Sequence, residues 1–191
     1  MKTIILASAS PRRKELLGKL GLKFEVEPSN YAEDIDLALA PHELAQKISL
    51  AKAEVVARQH KDAIVIAADT FGIFKGKVLG KPHTEAEART MLAAISGKSH
   101  SVITGFSIID TDTNKTLSQS VETRVYIRKL TPAEIDAYVK SGEPLDKAGA
   151  YAIQGLGAVL VARIEGDYYN VVGLPLSALT DALKEFGVQI L

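Results

Sequence analysis

Apolar runs of strand type and helix-periodic stretches alternate along the whole chain. Residues 3–7 form a short apolar run that predicts a strand. Ser10 followed by Pro11 reads as an N-cap with proline at the first helical position, opening a helix to about Lys19. Residues 23–27 alternate polar and apolar, a second strand, and 28–40 form a polar, acidic loop. A long helix is expected over 41–59, with Leu44, Ile48, Ala51 and Val55 on one apolar stripe. The run AIVIAA at 63–68 has no polar position, which suits a strand buried on both faces. A hairpin turning at Lys75-Gly76-Lys77 follows, and Thr84 with Glu87 predicts a capping box for a helix to about Ile95.

Residues 99–110 and 117–128 read as long strands around the turn residues Asp112, Thr113 and Asn114. In the second, Val121, Thr123, Val125 and Ile127 share a face, which argues an antiparallel pair. Thr131-Pro132 with Glu134 caps another helix ending near Ser141-Gly142. A strand over 158–164 and a helix over 176–186, stopped by Gly187, complete the pattern. The mixture predicts an α/β fold: a mixed central sheet with flanking helices.

No repeat, low-complexity tract or linker interrupts the 191 residues, so a single domain over 1–191 is expected. Hydrophobic residues make up 47% and charged residues 24%, an ordinary soluble composition. The 23 basic and 23 acidic side chains cancel, so no global field draws the chain to nucleic acid or to a membrane. The absence of cysteine removes disulfides, thiolate nucleophiles and cysteine-type zinc sites. The opening apolar run is too short for a signal peptide or a membrane span, and a cytoplasmic protein is expected. Charge is nevertheless segregated: 1–23 carries six bases against Glu15, and 24–36 carries five acids and no base. A site for a metal-bound polyanion needs such an arrangement, and two facing surface elements can show it by chance.

Four groups of residues could carry chemistry. Ser8, Ser10, Arg12, Arg13 and Lys14 stand at a strand-to-helix junction. Cations in a first helical turn oppose the macrodipole, whereas a phosphate chain bound there would make the arrangement favourable. The alternative is a solvated basic helix start. Asp69 directly follows the apolar strand, where the working crevice of an open α/β sheet lies, although Asp-Thr can also make a local turn. A lone aspartate is a weak base for water and needs a metal to acidify it. Glu33 in the acidic loop is a second carboxylate for Mg²⁺. Lys52 lies along the apolar stripe and either snorkels outward or points into a cleft, and Lys81 sits in a tight loop. The small-residue stretch 143–157 carries Gln154, whose amide can pair with the O4/N3–H edge of uracil or thymine; a loop satisfying its own backbone is the alternative.

Neither a GxxxxGKS/T loop nor a GxGxxG or GxSxG motif occurs, and the four histidines lack metal-ligand spacing. What does occur is SASPRRKELL near the start, AADT at 67–70, LGKP at 79–82, Ser96-Gly97, EPLDKAGAYAIQG at 143–155 and VVGLPL at 171–176. In this order and over essentially the whole chain, these motifs resemble the Maf proteins. The resemblance implies two lobes around a cleft, often in a homodimer. It also implies a house-cleaning nucleoside triphosphate pyrophosphatase that uses a divalent metal, Mg²⁺ or Mn²⁺, to convert NTP to NMP and pyrophosphate.

By motif, Asp69 would be the proton acceptor and a metal ligand with Glu33, where NYAED departs from the usual VDE form. Ser8, Arg13, Lys52 and Lys81 would bind phosphate. Arg12, Thr70 and Gln154 resemble the specificity set of the dTTP/UTP branch; the 7-methyl-GTP branch carries an aromatic, a Gln and an acidic residue instead. Two rivals stay open: a purine-directed pyrophosphatase acting on 7-methyl-GTP or ITP, and a nucleotide-binding regulator of septum formation and cell division with little catalysis.

Overall fold

The computed structural model describes residues 2–31 and 39–191. In chain order, β1 (Thr3–Leu6), α1 (Pro11–Gly18), β2 (Glu25–Val26), α2 (Pro41–Ala57), β3 (Ala63–Phe74), β4 (Lys77–Leu79) and α3 (Glu85–Ile95) form the first half. The second half is β5 (Ser99–Asp110), β6 (Thr116–Ile127), α4 (Pro132–Lys140), β7 (Val161–Glu165), α5 (Tyr168–Val172) and α6 (Leu176–Lys184). Among the described residues seven strands make one sheet ordered β2-β1-β3-β5-β6-β7, with β4 added to β3. Parallel pairing of β1 with β2 and β3, and antiparallel pairing at β3–β4 and β6–β7, make it the mixed sheet with helices that the pattern predicts.

Contacts divide the chain into two compact units. The first is Met1–Thr70, Ile103–Val121 and Gly173–Leu191; the second is Phe71–Val102 and Glu122–Val172. Within the first, Ile5, Ala7, Ala53, Val56, Val65, Ala67 and Ile109 form a buried cluster. Within the second, Leu92, Ile95, Val125, Ile127, Tyr138, Val139 and Leu160 do so. Among the described residues no helix is long and apolar enough to cross a membrane.

Local signals place the helix starts. Ser10 accepts from the Arg13 N–H, Thr84 from the Glu87 N–H, and Thr131 with Glu134 makes a complete capping box. At α3 the return bond falls one residue early, since Glu87 accepts from the His83 N–H at 2.7 Å. Lys75 (φ 51°) and Gly76 (φ 75°) both take the left-handed conformation that a two-residue hairpin turn requires.

Two boundaries and one helix face differ from expectation. β3 does not stop at Ala68 but runs on through Asp69 to Phe74, because Thr70, Phe71, Ile73 and Phe74 suit a strand once Asp69 is accommodated. The strand expected over 158–164 starts only at Val161, because residues 155–160 wind into a 3-10 turn that takes up its first three positions. The core face of α2 is Leu44, Ala45, Ile48, Ser49, Ala53 and Val56, leaving Ala51 and Val55 half-buried. The small residues turn inward because β5 approaches there: a Cβ built on Gly105 would lie 2.2 Å from the Ala45 carbonyl. The acidic segment around Glu33 lies outside the described residues.

Candidate active site

The site begins where β1 ends. β1 and β3 pair in register up to Leu6 opposite Ile66, so the chain leaves the sheet at Ala7 while β3 continues to Asp69. Asp69 therefore stands beyond the carboxyl end of its parallel neighbour, although it is not at the end of its own strand. Residues 7–10 lead into α1 and, with Arg13, Ser29, Tyr31 and Lys52, line a pocket of about 200 Å³.

Arg13 does not point to bulk water from the helix start. Its Nε donates to the Gly173 carbonyl at 2.9 Å, one Nη to the Thr70 hydroxyl at 3.1 Å and the other to Ser8 Oγ at 3.4 Å. The Thr70 hydroxyl in turn shares a 2.9 Å hydrogen bond with Thr104. Ser8 is buried, and its Oγ also accepts from the Ser10 N–H at 3.2 Å. The planar guanidinium is thus held against three separate segments, an arrangement that five fixed N–H donors permit. Gly173 has φ 127°, a conformation reserved for glycine, and so presents its carbonyl to Arg13.

Lys52 extends from α2 into the protein, not outward. Its ammonium lies 2.6 Å from Asp69 Oδ1, and both side chains are 12% exposed. Two charges so far removed from water need each other, and removing one leaves the other uncompensated. An ammonium and a guanidinium thus line a pocket edged by hydroxyls in the first unit, with the Asp69 carboxylate against the ammonium.

Ser8, Arg13, Lys52, Asp69 and Thr70 are therefore brought together. Arg12 is half-buried in the first turn of α1. Lys81 is exposed between β4 and α3, and Gln154 is half-buried at the start of the 155–160 turn, both in the second unit. Glu33 lies outside the described residues. Sequence reasoning missed Thr104 and the Gly173 carbonyl as supports of Arg13, and Ser29 and Tyr31 as pocket walls. Gly173 stands inside the quoted VVGLPL, but a backbone carbonyl's partner leaves no mark on composition or period.

Among the described residues no three His, Asp or Glu side chains cluster as a self-sufficient metal cage. The donor set nevertheless fits a hard cation that arrives with a phosphate chain. Mg²⁺ is typically held by one or two carboxylates together with substrate phosphates and water, and Asp69 supplies a carboxylate beside the pocket.

A sequence model of the Maf-like protein family matches residues 3–186. The dTTP/UTP pyrophosphatase of Moorella thermoacetica is 50% identical over 190 residues, covering 100% of this chain and 98% of its own. The dTTP/UTP pyrophosphatase of Bacillus cereus (strain ATCC 10987 / NRS 248) is 49% identical, with 100% and 93% covered. Among solved structures, the Staphylococcus aureus Ham1 protein covers 84% of this chain and 80% of its own at 15% identity, with a TM-score of 0.48. With nearly every residue of the chain inside the family match, and half of them shared with a relative matched over 98% of its length, the protein belongs to the Maf family.

Proposed function

We propose that the protein hydrolyses dTTP and UTP to the monophosphate and pyrophosphate, as a cytoplasmic house-cleaning enzyme assisted by Mg²⁺ or Mn²⁺. One observation carries this reading: Arg13 and Lys52, cations from distant segments, border the pocket next to the buried Asp69 carboxylate. The names of relatives at 50% and 49% identity supply the substrate.

The triphosphate enters at the start of α1, where Ser8 and the held Arg13 guanidinium meet phosphate oxygens. Because Arg13 is already fixed by three partners, little side-chain entropy is lost when it binds. Phosphate oxygens compete with Asp69 for the Lys52 ammonium. As Lys52 turns to phosphate, Asp69 is left to take the proton of the attacking water. Water oxygen bonds to the α-phosphorus, the bond from that phosphorus to the bridging oxygen breaks, and pyrophosphate departs with the electron pair. Lys52 and Lys81 offset its charge. Asp69 and Glu33 would hold a divalent cation, which would supply acidification of the water and offset of phosphate charge. Arg12, Thr70 and Gln154 set the preference for a pyrimidine, with Gln154 on the imide edge.

The test is pyrophosphate release from UTP, dTTP, 7-methyl-GTP and ITP, each with metal and after chelation. UTP and dTTP are expected to turn over with metal only. Asp69→Asn should lower that rate by roughly 10²–10⁴, the usual contribution of a positioned base, while circular dichroism still shows a folded protein. Near-normal turnover by the variant removes Asp69 from the chemistry.

A further inference from the structure

The stretch 143–160 is rich in glycine and alanine, so its order requires an explanation. It contains three short 3-10 turns, Glu143–Asp146, Ala148–Ala150 and Gly155–Leu160, and the last begins directly after Gln154. Two side chains gather its backbone. Glu143 Oε1 accepts from the Gly157 N–H at 2.9 Å, and its Oε2 accepts from the Leu156 N–H at 3.0 Å. The Tyr138 hydroxyl, on α4, donates to Glu143 Oε1 at 2.8 Å and accepts from the Ala152 N–H at 3.3 Å. Residues 152, 156 and 157 are therefore fixed on both sides of Gln154.

The glycines show how closely the chain is drawn in. A Cβ on Gly155 would lie 2.7 Å from Glu143 Oε2, and one on Gly157 would lie 2.2 Å from the Ala152 carbonyl oxygen and 2.6 Å from the Tyr138 hydroxyl. Gly155 also holds φ 66°. Burial pushes the Glu143 carboxyl upward, but the Gly157 N–H, the Tyr138 hydroxyl and the Leu156 N–H outweigh it and hold the group below the ordinary carboxylate range. An ionised carboxylate accepting several N–H and O–H bonds makes a stronger staple than a neutral acceptor.

We propose that Glu143, braced by Tyr138, is the positioning residue for Gln154, clamping the backbone on either side so that the amide meets the pyrimidine edge without first being ordered. The inference rests on Gln154 reading the base, as proposed above. Glu143 touches no substrate itself. It acts by pre-organising a segment that glycine would otherwise leave mobile, and the ordering cost saved appears as affinity and selectivity for the base.

The test compares kcat/KM for UTP with that for 3-methyl-UTP, which has lost the N3–H donor. In the native protein UTP is expected to be favoured by about tenfold, the worth of one hydrogen bond. Gln154→Ala should collapse that ratio toward one. Glu143→Gln keeps size but turns an N–H toward a backbone N–H, and should collapse it to the same extent, with no further loss in the double variant. Tyr138→Phe removes the brace from the other side and carries the test if Glu143→Gln does not fold. A Gln154→Ala effect without a Glu143→Gln or Tyr138→Phe effect on the ratio, or an equal loss on both substrates, overturns the positioning role alone. No effect of Gln154→Ala overturns base reading and positioning together.

Discussion

Gly105 on β5 admits the backbone of α2, and Gly105→Ala tests whether that approach holds the Lys52–Asp69 pair. The new methyl carbon would lie 2.2 Å from the carbonyl carbon and oxygen of Ala45 and 2.7 Å from the Gln46 nitrogen. All three are helix backbone, which cannot swing aside as a side-chain end can. Restoring an ordinary contact of 3.4 Å from 2.2 Å moves the helix by about 1.2 Å. The buried Ser49–Ser107 hydrogen bond, 2.8 Å long, would then stretch to about 4 Å and be lost. Overpacking of this kind costs roughly 1–3 kcal/mol and the lost bond about 1 kcal/mol more. For a chain of this length, a loss of about 2–4 kcal/mol lowers Tm by roughly 4–16 °C and leaves a folded protein. Lys52 lies seven residues further along the same helix, so its 2.6 Å contact with Asp69 shifts as well. A misplacement near 1 Å can cost on the order of 10²-fold in rate. Thermal melting and UTP turnover at 25 °C are the assays, with Gly18→Ala as the control, since a Cβ there meets nothing within 4 Å. A Gly105→Ala protein that melts and turns over like the native one would refute the close approach and the positioning of Lys52 through it.

The remaining predictions concern charge. Arg13→Lys keeps the charge but cannot bridge Ser8, Thr70 and the Gly173 carbonyl in one plane, so KM for UTP should rise by roughly tenfold or more. Unchanged steady-state kinetics would mean that the planar fork is unimportant. His100 is 4% exposed, its Nε2 lies 2.9 Å from the Tyr151 hydroxyl, and burial lowers its pKa from 6.5 to about 4. Between these values the unfolded chain binds more protons than the folded one, so stability is complete above pH 6.5 and falls as pH drops toward 4. The loss amounts to about 3 kcal/mol. Urea melts at pH 7, 5.5 and 4.5 should show that decline, and His100→Gln should flatten it; an equally steep decline in the variant assigns it elsewhere. Asp110 does not interfere: the hydrogen bond from Lys2 lowers its pKa from 3.8 to about 2, so its contribution is complete above pH 3.8 and is lost as pH falls from there toward 2, below this window.

Helix starts, the buried strand and the hairpin were legible because each rests on neighbours in the chain. Ser10-Pro11, Thr84 with Glu87 and Thr131 with Glu134 are caps within one turn, and Lys75-Gly76 is a turn within two residues. The motif order that marks the family is likewise a property of the linear chain. The tertiary structure decided what the charged side chains do. Lys52 could have snorkelled; it turns inward because β3 presents a buried carboxylate 17 positions away. Arg13 could have been solvated, and a carbonyl 160 positions distant captures it instead. The core face of α2 rotated from the expected stripe because a glycine on β5 admits the helix backbone. Caps and periods are short-range and cost little chain entropy to form, so they are encoded locally. The partner of a charge or the depth of a helix depends on segments brought together only when the whole sheet closes, and no local pattern contains that information.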